Sequence, residues 1–271
     1  MTGRAVSTWS LHRTLGRSVA DEGPSFGLRP TGPTDGLPLL ELPAQLAAHG
    51  YDTVQICHFH LPTRDPGYLA ELRSALGSAG ITLDAVLVDA GDLVDPEVAD
   101  DHERWIAGWL SDAAALGARR ARLVAGQQPP TEERLAESAR RLRRLAAGRS
   151  ELRVVTENWL ALLPSAPEVH RVLELTEGTV GLLIDLGNWT GPDKYEQLAS
   201  IASLAETCHA KCHSRGGAAG LELDTADYRR SLGVLREAGY SGPLALIYDG
   251  PDDDEWAALD AEHAIVAEVF G

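Results

Sequence analysis

The sequence predicts an α/β fold: a single (β/α)8 TIM barrel of eight parallel strands, built as one domain over residues 1–271. Three observations predict it. Eight short apolar runs, rich in Val, Ile and Leu, recur along the chain. Segments with apolar residues every three and four positions separate them, and such alternation implies parallel strands with right-handed crossovers. Several of these segments stop at a glycine just before the next run, as at His49-Gly50, Ala79-Gly80 and Ala238-Gly239. Eight such units in roughly 250 residues fit a closed barrel. A doubly wound open sheet is the rival, and the lack of a Gly-x-Gly-x-x-Gly fingerprint counts against it.

The first strand is expected at 5–9. From 10 to 38 periodicity is weak and Gly and Pro are frequent, and a connection this long reads as a lid or a surface insertion. The second strand, 53–57, follows Gly50-Tyr51-Asp52, and the third is 83–88. Leu69, Leu72, Leu76 and Ala79 mark the helix between them. Trp105, Ile106, Trp109 and Ala113 mark the next helix, ahead of a strand at 121–125. Leu135, Ala139, Leu142 and Leu145 precede the fifth strand, 152–157. The last three strands are 180–185, 207–211 and 244–248, with Asp224 as N-cap of the helix before the last.

Composition narrows the function. With 44% hydrophobic residues the chain is not disordered, and no stretch approaches the ~20 apolar residues of a membrane helix. The first residues carry no apolar export signal, and three Cys give no disulfide framework, so a cytoplasmic location is expected. A net charge of -16 argues against a nucleic-acid partner. The runs at Arg119-Arg120 and 140–144 lie among acids and read as solvated helix faces.

Chemistry in such a barrel sits where the strands end. Glu157 ends the fifth strand and Asp185 the sixth, while the seventh reads Cys208-His209-Ala210-Lys211-Cys212-His213. The second runs into His58-Phe59-His60, and Asp89 and Asp92 follow the third. A carboxylate ending an apolar run needs a partner. Two acids and an imidazole at one mouth suit a divalent cation: Mg, Mn, Co or Zn. The rival is an ion-pair network in which Lys211 neutralises Glu157 or Asp185. His58 and His60 share a face if the strand runs on through them, as do His209, Lys211 and His213.

The ordered motifs Thr156-Glu157-Asn158, Ile184-Asp185-Leu186-Gly187-Asn188 and His209-Ala210-Lys211, with the early Gly50-Tyr51-Asp52-Thr53-Val54, resemble the xylose-isomerase-like TIM barrels over nearly the whole chain. That superfamily holds sugar phosphate isomerases and epimerases, hydroxypyruvate isomerases, dehydratases and endonuclease IV. The resemblance implies one divalent ion held by a Glu, an Asp, a His or Gln and a second Glu on strands five to eight. Glu157, Asp185 and His209 match the first three. The fourth position is Ile247, and Asp249, two residues on, is the substitute the resemblance leaves for the metal. The His expected three residues after the sixth-strand Asp is Asn188.

By resemblance, then, the expected activity is metal-dependent isomerisation or epimerisation of a small carbohydrate-like substrate, a sugar, polyol or keto acid. A proton is taken next to a metal-bound carbonyl. Glu157, Lys211 and His58 are the catalytic candidates; His60, Asn188, His213, Trp9 and Trp159 are the substrate-contacting ones. Ile247 raises the alternatives of a dehydratase or lyase, or of a barrel that binds a sugar without turning it over. Asn188 and the acidic balance weigh against a repair nuclease. The resemblance also implies a homodimer as the assembly.

Overall fold

The computed structural model describes residues 3–16, 36–217, 220–250 and 254–271. Eight parallel strands close into a cylinder: β1 (Ala5–Ser7), β2 (Thr53–Cys57), β3 (Thr82–Val88), β4 (Arg120–Leu123), β5 (Arg153–Glu157), β6 (Gly181–Asp185) and β7 (Ala205–Lys211), then, after a short hairpin of β8 (Ser214–Gly217) and β9 (Gly220–Leu223), β10 (Leu244–Ile247). Ala5 of β1 pairs with both Thr53 and Ala245, so the first strand joins the second to the last. Helices α1 (Leu42–Ala48), α2 (Pro66–Ser78), α3 (Ala99–Leu116), α4 (Glu132–Ala146), α5 (Ala166–Leu175), α6 (Lys194–Ala202), α7 (Thr225–Glu237) and α8 (Glu255–Phe270) alternate with the strands.

Local chemistry sets these boundaries. Asp65 caps α2 by accepting from the Gly67 and Tyr68 N–H groups, with Pro66 at the first helical position. Asp224 caps α7 through the Asp227 N–H. Gly50 and Gly80 take φ of 77° and 70°, a left-handed turn that returns the chain to the next strand.

The strand period of two splits the apolar residues into two cores. The outward set (Val54, Val86, Ala121, Leu123, Val154, Leu182) packs under the helices. A smaller inward set, Cys57, Phe59, Ala85, Leu87, Val155 and Leu183, fills the lumen, with Trp9 against it. Above and below this plug the lumen is polar.

Three features stand beyond or against the sequence reading. The second strand stops at Cys57, and His58–His60 form a 3-10 helix, so those histidines do not continue the strand face. The hairpin of β8 and β9 was not expected; its Gly-rich sequence carries little apolar alternation. Arg120 belongs to β4 rather than to a solvated helix face, and it points inward, as does Arg122 of the same strand. Most of the 10–38 connection lies outside the described residues. Its described ends meet: the Leu37 N–H donates to the Thr14 carbonyl at 2.8 Å. The near end is fixed to α8, where Glu255 accepts from the Arg13 and Thr14 N–H groups at 2.9 Å each. Among the described residues no helix is long and apolar enough to cross a membrane.

Candidate metal centre

Register brings three potential ligands together at the carboxyl ends of the strands. Asp185 is level with His209 across the β6–β7 ladder, and Glu157 is level with Leu183 across β5–β6. Glu157, Asp185 and His209 are all buried, and each offers a ligand atom within 4.8 Å of the others. His209 Nδ1 lies 3.3 Å from Glu157 Oε1 and 3.5 Å from Asp185 Oδ2. Two ligands about 2.1 Å from one ion, at right angles to each other, sit about 3 Å apart, so this spacing fits a small divalent cation.

The remaining atoms of the trio are committed elsewhere, which leaves one donor from each facing the centre. Asp185 Oδ1 accepts from the Gly187 and Asn188 N–H groups at 2.6 and 2.7 Å. The Asn158 amide brackets the Asp185 backbone, accepting from its N–H at 2.7 Å and donating to its carbonyl at 3.0 Å. The Asn188 amide donates to Glu157 Oε1 at 2.9 Å, and Arg122 Nε stands 2.9 Å from Oε2. His209 Nε2 meets Gln55 Oε1 at 2.9 Å, so Nδ1 is the nitrogen turned to the carboxylates. Burial pushes the His209 imidazole down, but Glu157 and Asp185 outweigh it and lift the ring to about 9. Burial works against the Asp185 anion, and the His209 ring overcomes it and holds the carboxyl below its usual range.

A cavity of about 100 Å³ opens over this trio, walled also by Trp9, Leu87, Trp159 and Ile247. Arg122, 2% exposed, bridges two acids there, Glu157 and Asp89, and its guanidinium lies 5.1 Å from the Trp159 ring centre. Burial pushes the Asp89 carboxyl up, yet Arg122 and His58 hold it at about 2. Lys211 reaches the cavity with its stem across Gly187, where a Cβ would stand 2.7–3.1 Å from three stem carbons. Only glycine leaves that path open. Its ammonium pairs with Asp249 Oδ2 at 2.6 Å.

Of the residues singled out in the sequence, Glu157, Asp185, His209, Lys211, Asn188, Trp9 and Trp159 meet at this cavity. Asp249 stands outside the ligand trio, because β10 ends at Ile247 and the side chain turns to Lys211. His58 is not in the cavity wall. Its ring packs on Trp105 and Trp109, and Nδ1 accepts from the Asp89 N–H at 3.1 Å. His60 Nδ1 lies 2.8 Å from Thr8 Oγ1, likewise away from the wall. His213 is half-buried at the root of the hairpin. Arg122, Gln55 and Asp84 were missed. Arg120-Ala121-Arg122-Leu123 does alternate charge with apolar residues, the period of a strand with a polar inner face.

Residues 43–266 match the family described as xylose isomerase-like TIM barrel. A putative hydroxypyruvate isomerase of Streptomyces coelicolor is 29% identical over 249 residues, covering 80% of this chain and 88% of that protein. A xylose isomerase-like TIM barrel protein from Mycobacterium smegmatis, solved with magnesium, superposes with a TM-score of 0.70 at 15% identity over 100% of this chain and 98% of that one. D-psicose 3-epimerase of Clostridium cellulolyticum, solved with D-tagatose, gives a TM-score of 0.70 at 16% identity, covering 98% and 99%.

Proposed function

The chain belongs to the xylose isomerase-like TIM barrel family, and on that premise we propose that it is a divalent-cation-dependent isomerase or epimerase of small sugar-like hydroxycarbonyl compounds. The observation that carries this reading is the convergence of Glu157, Asp185 and His209 Nδ1 under a cavity with aromatic walls. The name of the Streptomyces coelicolor relative supports the isomerase class.

A cation held by those three donors supplies polarisation of a substrate carbonyl and acidifies the neighbouring C–H. Glu157 is the group that takes that proton. Asn188 and Arg122 hold its two oxygens, so the carboxylate arrives oriented. Lys211, anchored by Asp249, offers a proton to the oxygen that gains charge. Trp9 and Trp159 cover the faces of the substrate and exclude water.

The test is turnover of a panel of trioses, ketoses and hydroxypyruvate with Mn or Mg. Activity is expected to vanish on chelation, return with the ion, and fall by at least about a hundredfold in Glu157→Gln. Undiminished turnover after exhaustive chelation would overturn the reading.

Ile247 favours a second reading. It lines the wall level with Lys211, where a second carboxylate would serve a two-base reaction. A one-base reaction, a dehydration, or binding without turnover follows from that wall. Solvent deuterium entering recovered substrate speaks for proton abstraction; ligand-induced thermal shifts with no exchange speak for binding alone.

A further inference from the structure

Below the cation ligands a chain of hydrogen bonds crosses the lumen. Asp84 on β3, fully buried, accepts from Arg120 Nη1 on Oδ1. Its Oδ2 accepts from Gln55 Nε2 at 2.9 Å and from the Thr207 hydroxyl at 2.7 Å. That hydroxyl, its one proton spent on Asp84, accepts from Gln55 Nε2 at 3.0 Å. Both hydrogens of the Gln55 amide therefore face Asp84 and Thr207, and Oε1 is the end left for His209. An amide oxygen only accepts. His209 Nε2 must carry a proton, and in the neutral ring the lone pair falls on Nδ1, the nitrogen beside Glu157 and Asp185.

We propose that Asp84 is a positioning residue that acts through Gln55 to choose the cation-binding nitrogen of His209. The inference rests on the metal-centre reading above and extends it to two residues that touch neither ion nor substrate. The chain has a polarity, set at its acidic end. In Asp84→Asn, Arg120 keeps the amide oxygen on its side, so an NH2 replaces Oδ2. Gln55 then satisfies it by turning its own oxygen down and its NH2 towards His209. Nε2 becomes the acceptor and the proton moves to Nδ1, where it blocks the ion. Every hydrogen bond survives; only its direction changes.

That reversal can itself be undone. Asp84→Asn with Gln55→Glu gives the new amide at position 84 a carboxylate to donate to, and the same carboxylate accepts from His209 Nε2. The original polarity returns with the acid moved from one strand to the next. A packing role for Asp84 predicts no such rescue; a simple charge role shares it, and the position of the His209 ring proton tells polarity from charge.

The experiment is Mn(II) titration of the full chain by calorimetry or spin resonance. Asp84→Asn is expected to bind about ten- to a hundredfold more weakly than wild type, as for other partners of ligating histidines. The double variant is expected back within about threefold of wild type, and Thr207→Val, which leaves the polarity alone, to stay near it. Equal affinity in Asp84→Asn and wild type, or a double variant no tighter than Asp84→Asn, overturns the proposal. A second measurement needs neither ion nor variant: ring 15N shifts of His209 in metal-free wild type, recorded with the imidazole neutral. They are expected to place the proton on Nε2, and a proton on Nδ1 overturns the proposal whatever the variants do. A wild type that takes up no Mn(II) yet carries the proton on Nε2 overturns the metal-centre reading and its extension here, and leaves only the tautomer assignment.

Discussion

Single side chains at this centre are fixed by neighbours that share none of its chemistry. Asp185 keeps one oxygen for the cavity because two backbone N–H groups hold the other. Lys211 reaches the cavity because residue 187 lacks a side chain. Gly187→Ala puts a methyl 2.7–3.1 Å from the Lys211 stem and pushes the ammonium aside. Turnover is expected to fall about tenfold or more while Mn(II) affinity stays near wild type, because the Gly187 N–H to Asp185 remains. Loss of the metal together with turnover would show that Lys211 is not what the glycine serves.

At the scale of elements, α8 carries a conflict between its pattern and its contents. Ala258, Leu259, Glu262, Ile265 and Val266 share the buried face. Glu262 is fully buried and, among the described residues, neither carboxylate oxygen has a hydrogen-bond partner. Burial pushes its carboxyl well above the ordinary 4.5. An acid whose folded value is raised folds by holding a proton that the unfolded chain releases. Its stability is therefore greatest below the ordinary carboxyl range and is lost as pH rises from there towards the folded value. Glu262→Gln removes that slope. The variant is expected to match wild type near pH 4 and to exceed it by about 2 kcal/mol at pH 7 in denaturant titrations. Parallel curves at both pH values would mean that Glu262 has a partner in solution.

The elements also show what a sequence exposes and what it hides. Seven of the barrel strands were legible because Val, Ile or Leu runs through them, and Glu157 and Asp185 because each ends such a run; β7 holds none of those three residues, and His209 was legible through the motif around it. Gln55, Asp84 and Arg122 were not. Each sits inside a strand, where an isolated polar residue looks like the solvent face of an open sheet. Only closure turns that face into a lumen and makes Arg122 the partner of Glu157 and Asp89. His58 and His60 misled for the converse reason: alternation cannot show where a strand gives way to a 3-10 turn.

For the whole molecule, the barrel closes through its own contacts at the mouth, with His209 and Arg122 set against Glu157 and Asp185. Metal is therefore expected to add to stability without being required for folding. At a hundredfold excess over its dissociation constant an ion contributes about 2.7 kcal/mol, or roughly 5–10 °C in a chain of this size. Chelation should lower the melting temperature by that amount and leave a cooperative transition. Collapse of the far-ultraviolet circular dichroism on chelation would contradict it.

The ladder between Ala5 and Ala245 makes a three-residue segment the keystone of the cylinder. A shortened chain beginning near residue 43 would retain every ligand of the candidate centre and lose that segment. Two neighbouring strands, β2 and β10, would then present bare N–H and C=O rows, ready to pair between molecules. Such a fragment is expected to sediment as aggregate where the full chain stays dispersed, so possession of every cation ligand would not be enough for a working molecule.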